Sequence, residues 1–128
     1  MAMFDPRFLT YADLAVICQR GTAFTILYKE EPIACSGVVP LNTGVGFAWA
    51  VVNKLAARSK TRVVFMHAKV GLRAIQRDYH RIETVSMVSD EVAFSWIKHL
   101  GFRIESTMAR YGSDKTDFYK WVYFPEEN

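Results

Sequence analysis

A chain of 128 residues that is 51% hydrophobic and 23% charged can bury one continuous core, and its composition excludes a disordered segment. The net charge is only +3, yet no Asp or Glu falls between Pro32 and Arg77, where Lys54, Arg58, Lys60, Arg62, Lys69, Arg73 and Arg77 all lie. A field of one sign over the middle third predicts an anionic partner: a phosphate, a nucleic acid or an acidic protein surface.

The opening "MAMFDPRFLTYADLAV" carries an early Asp and Pro and no basic n-region, so it does not read as a secretory signal. No apolar run approaches the roughly 20 residues of a bilayer span, and the expectation is a cytoplasmic protein that does not enter a membrane. Cys18 and Cys35 have no CxxC spacing and read as buried free thiols. His67, His80 and His99 show no ligand spacing with them, so no metal is expected.

In chain order, residues 6–19 place Phe8, Leu9, Ala12, Leu14, Ala15 and Ile17 at helical spacing. "AFTILYKEEPIACSGVVPL" reads as two strands about a turn at Glu30-Glu31-Pro32, and "NTG" as a second turn. "VGFAWAVV" (45–52) is apolar on both faces, which suits a strand in the middle of a covered sheet. "NKLAARSK" reads as a polar loop. A long helix follows from about Thr61 to Arg77, with Val63, Val64, Ala68, Leu72 and Ile75 as its buried stripe and Arg62, Lys69, Arg73 and Arg77 as a basic ridge.

"RIETVSMVS" (81–89) is a strand. "SDEVAFSWIKHLGF" then forms a helix that is capped at both ends. Ser89 and Asp90 offer capping oxygens, Val92, Ala93, Trp96, Ile97 and Leu100 share a face, and Gly101 can take the left-handed conformation that ends it. "RIESTMARYG" and "DFYKWVYF" close the chain as a hairpin. Its rings, either Tyr119, Trp121 and Tyr123 or Phe118 and Phe124, are expected to leave one face exposed for a second copy or a partner protein. The order predicts an α/β (α+β) domain over 1–128, with a mixed, mainly antiparallel sheet.

This order, with "DEVAFSWIKHLGF" near its end, resembles the GNAT acyltransferase superfamily. Asp90, Ala93, Gly101 and Phe102 keep the spacing of that family's last helix, and "KEEPIACSGV" is similar to its second and third strands. In size and strand chemistry the chain looks most like the small GNAT-like proteins of tailed bacteriophages. The resemblance implies helices on both faces of the sheet and a V-shaped splay between the two central strands. It also implies acetyl-CoA as cofactor, and an acceptor that is a protein or a small amine, for a phage protein a host target.

The family's phosphate-binding loop corresponds to Arg58, Ser59, Lys60, Thr61 and Arg62, which contain no glycine; its general-acid tyrosine corresponds to Ile97. Val51 and Val52 would bond the pantetheine arm through their backbone, and Asp90 would either bond it or cap the helix. Glu83 and Ser86 are the polar groups expected near a reacting amine, Glu83 as a base of raised pKa, with Tyr79 and His80 as alternatives. Two functions follow. One is an acetyl-CoA-dependent N-acetyltransferase. The other is a catalytically reduced member that binds an acidic macromolecule, such as a host protein, on the ridge Arg62, Lys69, Arg73 and Arg77. Aromatic residues do not interleave with that ridge, which argues against nucleic acid.

Overall fold

The computed structural model describes residues 2–3, 21–52 and 54–125, with the side chains of 2, 3, 54–61 and 63 outside that description. The helix expected over 6–19, and Cys18 within it, lie outside the described residues. Strand β1 (Ala2–Met3) is followed by the hairpin β2 (Thr22–Tyr28) and β3 (Glu31–Asn42). Its turn is Lys29–Glu30, earlier than expected: Glu31 and Pro32 already pair with Tyr28 and Leu27. Both turn residues have positive φ, 50° and 68°, the backbone of a two-residue type I′ hairpin turn built without glycine.

Strand β4 (Val45–Val52) leads directly into helix α1 (Lys54–Ile75). The stretch read as a polar loop is therefore helical from its second residue. "KLAAR" consists of good helix formers and contains no glycine to interrupt them. A 3-10 turn (Gln76–Asp78) carries the chain to β5 (Arg81–Met87).

Helix α2 (Glu91–His99) has the ends that its sequence promised. Asp90, not Ser89, is the N-cap, its side chain accepting from the Ala93 N–H at 3.0 Å. At the other end Gly101 takes φ 105°, and the N–H groups of Gly101 and Phe102 donate to the carbonyls of Lys98 and Ile97. This double bond satisfies the helix's last carbonyls and folds Phe102 into the core. Ala93, Ile97 and Leu100 are buried, whereas Val92, expected on the same stripe, is 59% exposed at its flank. Strands β6 (Arg103–Met108) and β7 (Phe118–Tyr123) complete the chain.

The sheet runs β2-β3-β4-β5-β7-β6, with β1 beside β4. Every pairing is antiparallel except β4 with β5 and β1 with β4. Alternation assigns the faces. Val38, Ala48, Ala50, Ile82, Trp121 and Tyr123 share one, and they form a single buried cluster with Ala68, Leu72 and Ile75 of α1 and Ala93, Ile97 and Leu100 of α2. Both described helices thus cover the same face of the sheet. Each large side chain buried in this way contributes about 1.5–3 kcal/mol.

The aromatic hairpin does not present an exposed array. Trp121 and Tyr123 are buried under the helices, and Phe94 of α2 meets the rings of Tyr119 and Trp121 at 5.9 and 5.2 Å. On the opposite face Phe118 packs on Tyr111, and Phe124 lies under the Arg103 guanidinium at 4.9 Å. Trp121 and Tyr123 are thus buried, and Phe118, Tyr119 and Phe124 half-buried.

Candidate functional site

β4 and β5 run parallel, but their ladder spans only Val45–Phe47 against Arg81–Glu83. Beyond it the strands part, as the expected splay requires. Where the ladder stops, a buried hydroxyl takes over on the β5 side, Thr84 Oγ1 donating to the Ala48 carbonyl at 2.9 Å; on the β3 side Ser36 Oγ donates to the Trp49 carbonyl at 3.0 Å. Thr84 and Ser36 were not anticipated, although a lone hydroxyl on an otherwise apolar strand was the signal.

Peptide groups alternate along a strand, so the Ala48 carbonyl facing β5 sets Ala50 and Val52 the same way and turns Val51 toward its partner Cys35 on β3. Of the expected pair Val51 and Val52, only Val52 directs its peptide at the opening. The opening also contains β1, which pairs with Trp49 and Ala50 and lies against β5.

The V opens toward the C-terminal ends of β4 and β5, and both helices begin there, at Lys54 and Glu91. Their free first-turn N–H groups and positive dipole ends flank its mouth. In α1 those free amides belong to residues 54–56. Arg58, Ser59, Lys60, Thr61 and Arg62 sit in the second and third turns, where each N–H is taken by the carbonyl four residues back, so their backbone does not form the expected loop. The side chains of Arg58, Ser59, Lys60 and Thr61 lie outside the described residues.

Arg62 is exposed and lines a groove of about 350 Å³ between the helices with Phe65, Ser95, Trp96 and His99. Phe65 meets the His99 ring edge-on at 6.4 Å, and His99 Nδ1 lies 2.6 Å from the Ser95 carbonyl. A carbonyl can only accept, so Nδ1 carries the proton of that bond and Nε2 is left for other partners. The groove was missed in the sequence because its two walls come from residues about thirty positions apart.

The structure does not bring Glu83 and Ser86 together. Three residues apart on one strand, they project from opposite faces of the sheet. Glu83 binds Arg81 at 2.9 Å and Lys120 at 3.3 Å. Arg81 in turn grips Glu105 through two guanidinium nitrogens, at 2.7 and 2.6 Å, and that pair holds the Glu105 carboxyl below its ordinary value. Glu83 is thus one corner of an ion network. Ser86 is buried, and its oxygen accepts the indole N–H of Trp121 at 2.9 Å.

Tyr79 and His80 stand at the closed end of the V, their rings against Gly46 and Gly44. Burial, and the neighbouring Asp78 carboxylate, push the Tyr79 phenol above its ordinary value. The basic ridge is present: Arg62, Lys69, Arg73 and Arg77 are all exposed, interleaved with Met66 (56% exposed) and Val70 (67%). Among the described residues no metal-binding cluster occurs, and no helix is long and apolar enough to cross a membrane.

No family model matches the sequence, and no curated protein does. Solved structures do. Ard1 from Thermoplasma volcanium superposes with a TM-score of 0.77 over 91% of this chain and 80% of its own, at 13% identity. The ribosomal-protein-S18-alanine N-acetyltransferase from Escherichia coli gives 0.71 over 91% and 77%, at 16% identity. A GNAT family acetyltransferase from Elizabethkingia anophelis, solved with acetyl-CoA bound, gives 0.72 over 90% and 83%, at 15% identity. The chain therefore has the fold of the GNAT acetyltransferases. At these identities it is the fold that is shared.

Proposed function

We propose that this chain is an acetyl-CoA-dependent N-acetyltransferase acting on a protein or a small amine. The observation that carries the reading is the parallel pair β4–β5, which parts after Phe47 with two helix N-termini at its mouth. The donor set fits such a cofactor. The Val52 peptide faces the V and can bond an amide of a pantetheine arm. The first turn of α1 offers free N–H groups to phosphates, with Arg62 a further charge. Phe65 and Trp96 line the neighbouring groove and offer aromatic faces to the adenine of such a cofactor. Asp90 is committed through Oδ1 to capping α2, which holds that helix's N-terminus at the mouth.

The cofactor supplies an acyl group already activated as a thioester, so the chain is left to position a neutral amine and to keep bulk water away. The two side chains expected to act on the amine are not placed to do so: Glu83 is paired on the far face and Ser86 is buried under Trp121. Proton removal from the amine would then fall to water. In strand chemistry the chain resembles the small GNAT-like proteins of tailed bacteriophages, and on that resemblance the acceptor we propose is a host protein in the host cytoplasm.

Calorimetric titration with acetyl-CoA tests the reading. Micromolar binding that weakens with salt, and weakens at least severalfold further in Arg62→Ala, is the expected result. No heat and no chemical-shift change at millimolar acetyl-CoA would refute it.

A second reading rests on the ridge of α1. Arg62, Lys69 and Arg73, with Met66 and Val70 between them and Arg77 in the turn that follows, suit a GNAT-fold protein that binds an acidic macromolecule.

A further inference from the structure

The edge of β4 that faces β5 has three successive users. Gly46 lies within the ladder to β5, the Ala48 carbonyl takes the Thr84 hydroxyl, and Trp49–Ala50 pair with Ala2–Met3 of β1. β1 lies against both β4 and β5, so it sits inside the V and not at the outer edge of the sheet. Its direction is parallel to β4, running from Trp49 toward Val52 and the mouth.

A ligand with amides along its length that entered the V would lie along this same edge, as an added strand does. It would need the peptide groups of Ala50 and Val52, which are about 6.6 Å apart at strand spacing. The Ala50 peptide already faces β1, and one N–H serves one acceptor well. The two occupants are therefore mutually exclusive at Ala50.

We infer that β1 is a built-in competitor for the cofactor arm: the chain's own Ala2–Met3 closes the V, and acetyl-CoA binds after that strand has left. The inference rests on reading the V as the acetyl-CoA site. It makes the apparent affinity the intrinsic affinity scaled by the fraction of molecules with β1 undocked.

Proline cannot donate an N–H and is confined to sheet edges, so Ala2→Pro/Met3→Pro in the full chain removes the docked strand without changing its length. Titrated with acetyl-CoA, this variant should bind about 10-fold tighter than the parent, the factor for a strand docked nine-tenths of the time. Without ligand, hydrogen exchange of the Ala50 amide should accelerate in the variant, while that of Val51, which faces β3, should not. In the unmodified chain, saturation with acetyl-CoA should move the carbon chemical shifts of Ala2 and Met3 to random-coil values.

Equal affinity of the two chains, or Ala2 and Met3 shifts that stay in place when acetyl-CoA is bound, would overturn the competitor and leave the cofactor reading standing. No binding by either chain would overturn the cofactor reading, and the competitor with it.

Discussion

Replacing Ser86 by Ala removes a single oxygen from a side chain that is 4% exposed. That oxygen is the acceptor for the Trp121 indole N–H at 2.9 Å, and Trp121 is itself 1% exposed. Water cannot reach the orphaned N–H without opening the core under α2, so the variant bears most of the desolvation penalty of a buried donor, about 1–3 kcal/mol. The melting entropy of a domain is roughly 2.1 cal/mol/K per residue, or about 0.27 kcal/mol per degree for this length. A loss of about 2 kcal/mol therefore lowers Tm by about 7 °C, measurable by calorimetry or circular dichroism. Trp121→Phe deletes the donor and leaves a cavity, and it should destabilise by more. In the double variant the two losses should overlap by about 1–2 kcal/mol, because the second change removes a group the first had already orphaned. Ser86→Ala with stability within about 0.5 kcal/mol of the parent would refute this account. Acetyl transfer lost at unchanged Tm would do so as well, and would return Ser86 to the reaction itself.

Glu105→Gln should flatten the acid limb of a stability-against-pH profile. The carboxyl is held below its ordinary 4.5 by Arg81, so its contribution is full above that pH and is lost as pH falls through the lower folded value; a parent and variant with the same acid limb would contradict the pairing. Lys29→Asn/Glu30→Gly should raise stability by about 1 kcal/mol in urea melts, since asparagine and glycine suit the positive φ that Lys29 and Glu30 are forced to adopt. Lys69→Glu/Arg73→Glu on the outer face of α1 should change stability by less than about 0.5 kcal/mol and leave acetyl-CoA affinity unaltered. If the ridge serves an acidic protein, the same reversal should abolish that association in a pull-down at low salt, and a reversed ridge that still binds would exclude it.

Much of this architecture was legible in the sequence because its determinants are local. A strand apolar on both faces could only lie centrally, and Asp90 and Gly101 fix the ends of α2 through bonds to residues no more than three positions away. The start of α1 was misread for an instructive reason. The missing glycines that set "KLAARSKT" apart from a phosphate-binding loop are the same feature that lets the helix begin at once. The opposition of Glu83 and Ser86 was available from the odd spacing between them. The Arg81–Glu105 pair, the groove between Phe65 and Trp96, and the place of Ala2–Met3 were not available. Each joins residues far apart in the chain, and only the packed sheet and helices bring them together.

The three-pair ladder between β4 and β5 has a consequence for how the molecule assembles and breathes. On one side, β2, β3 and β4 form a meander of near-neighbour antiparallel pairs; on the other, β6 and β7 form a hairpin, and β5 meets β7 only across α2 and β6. The meander and the hairpin gather their partners with little loop entropy, whereas β5 joins either neighbour only across a helix. The seam between β4 and β5 must wait for α1 to cross from Val52 to Arg81, and it is then held by the short ladder, the Thr84 hydroxyl and the side chains beneath the helices. With only three residue pairs, the seam should be the first part of the sheet to open. A cleft at that seam needs no separate hinge, because only three residue pairs join the sheet there.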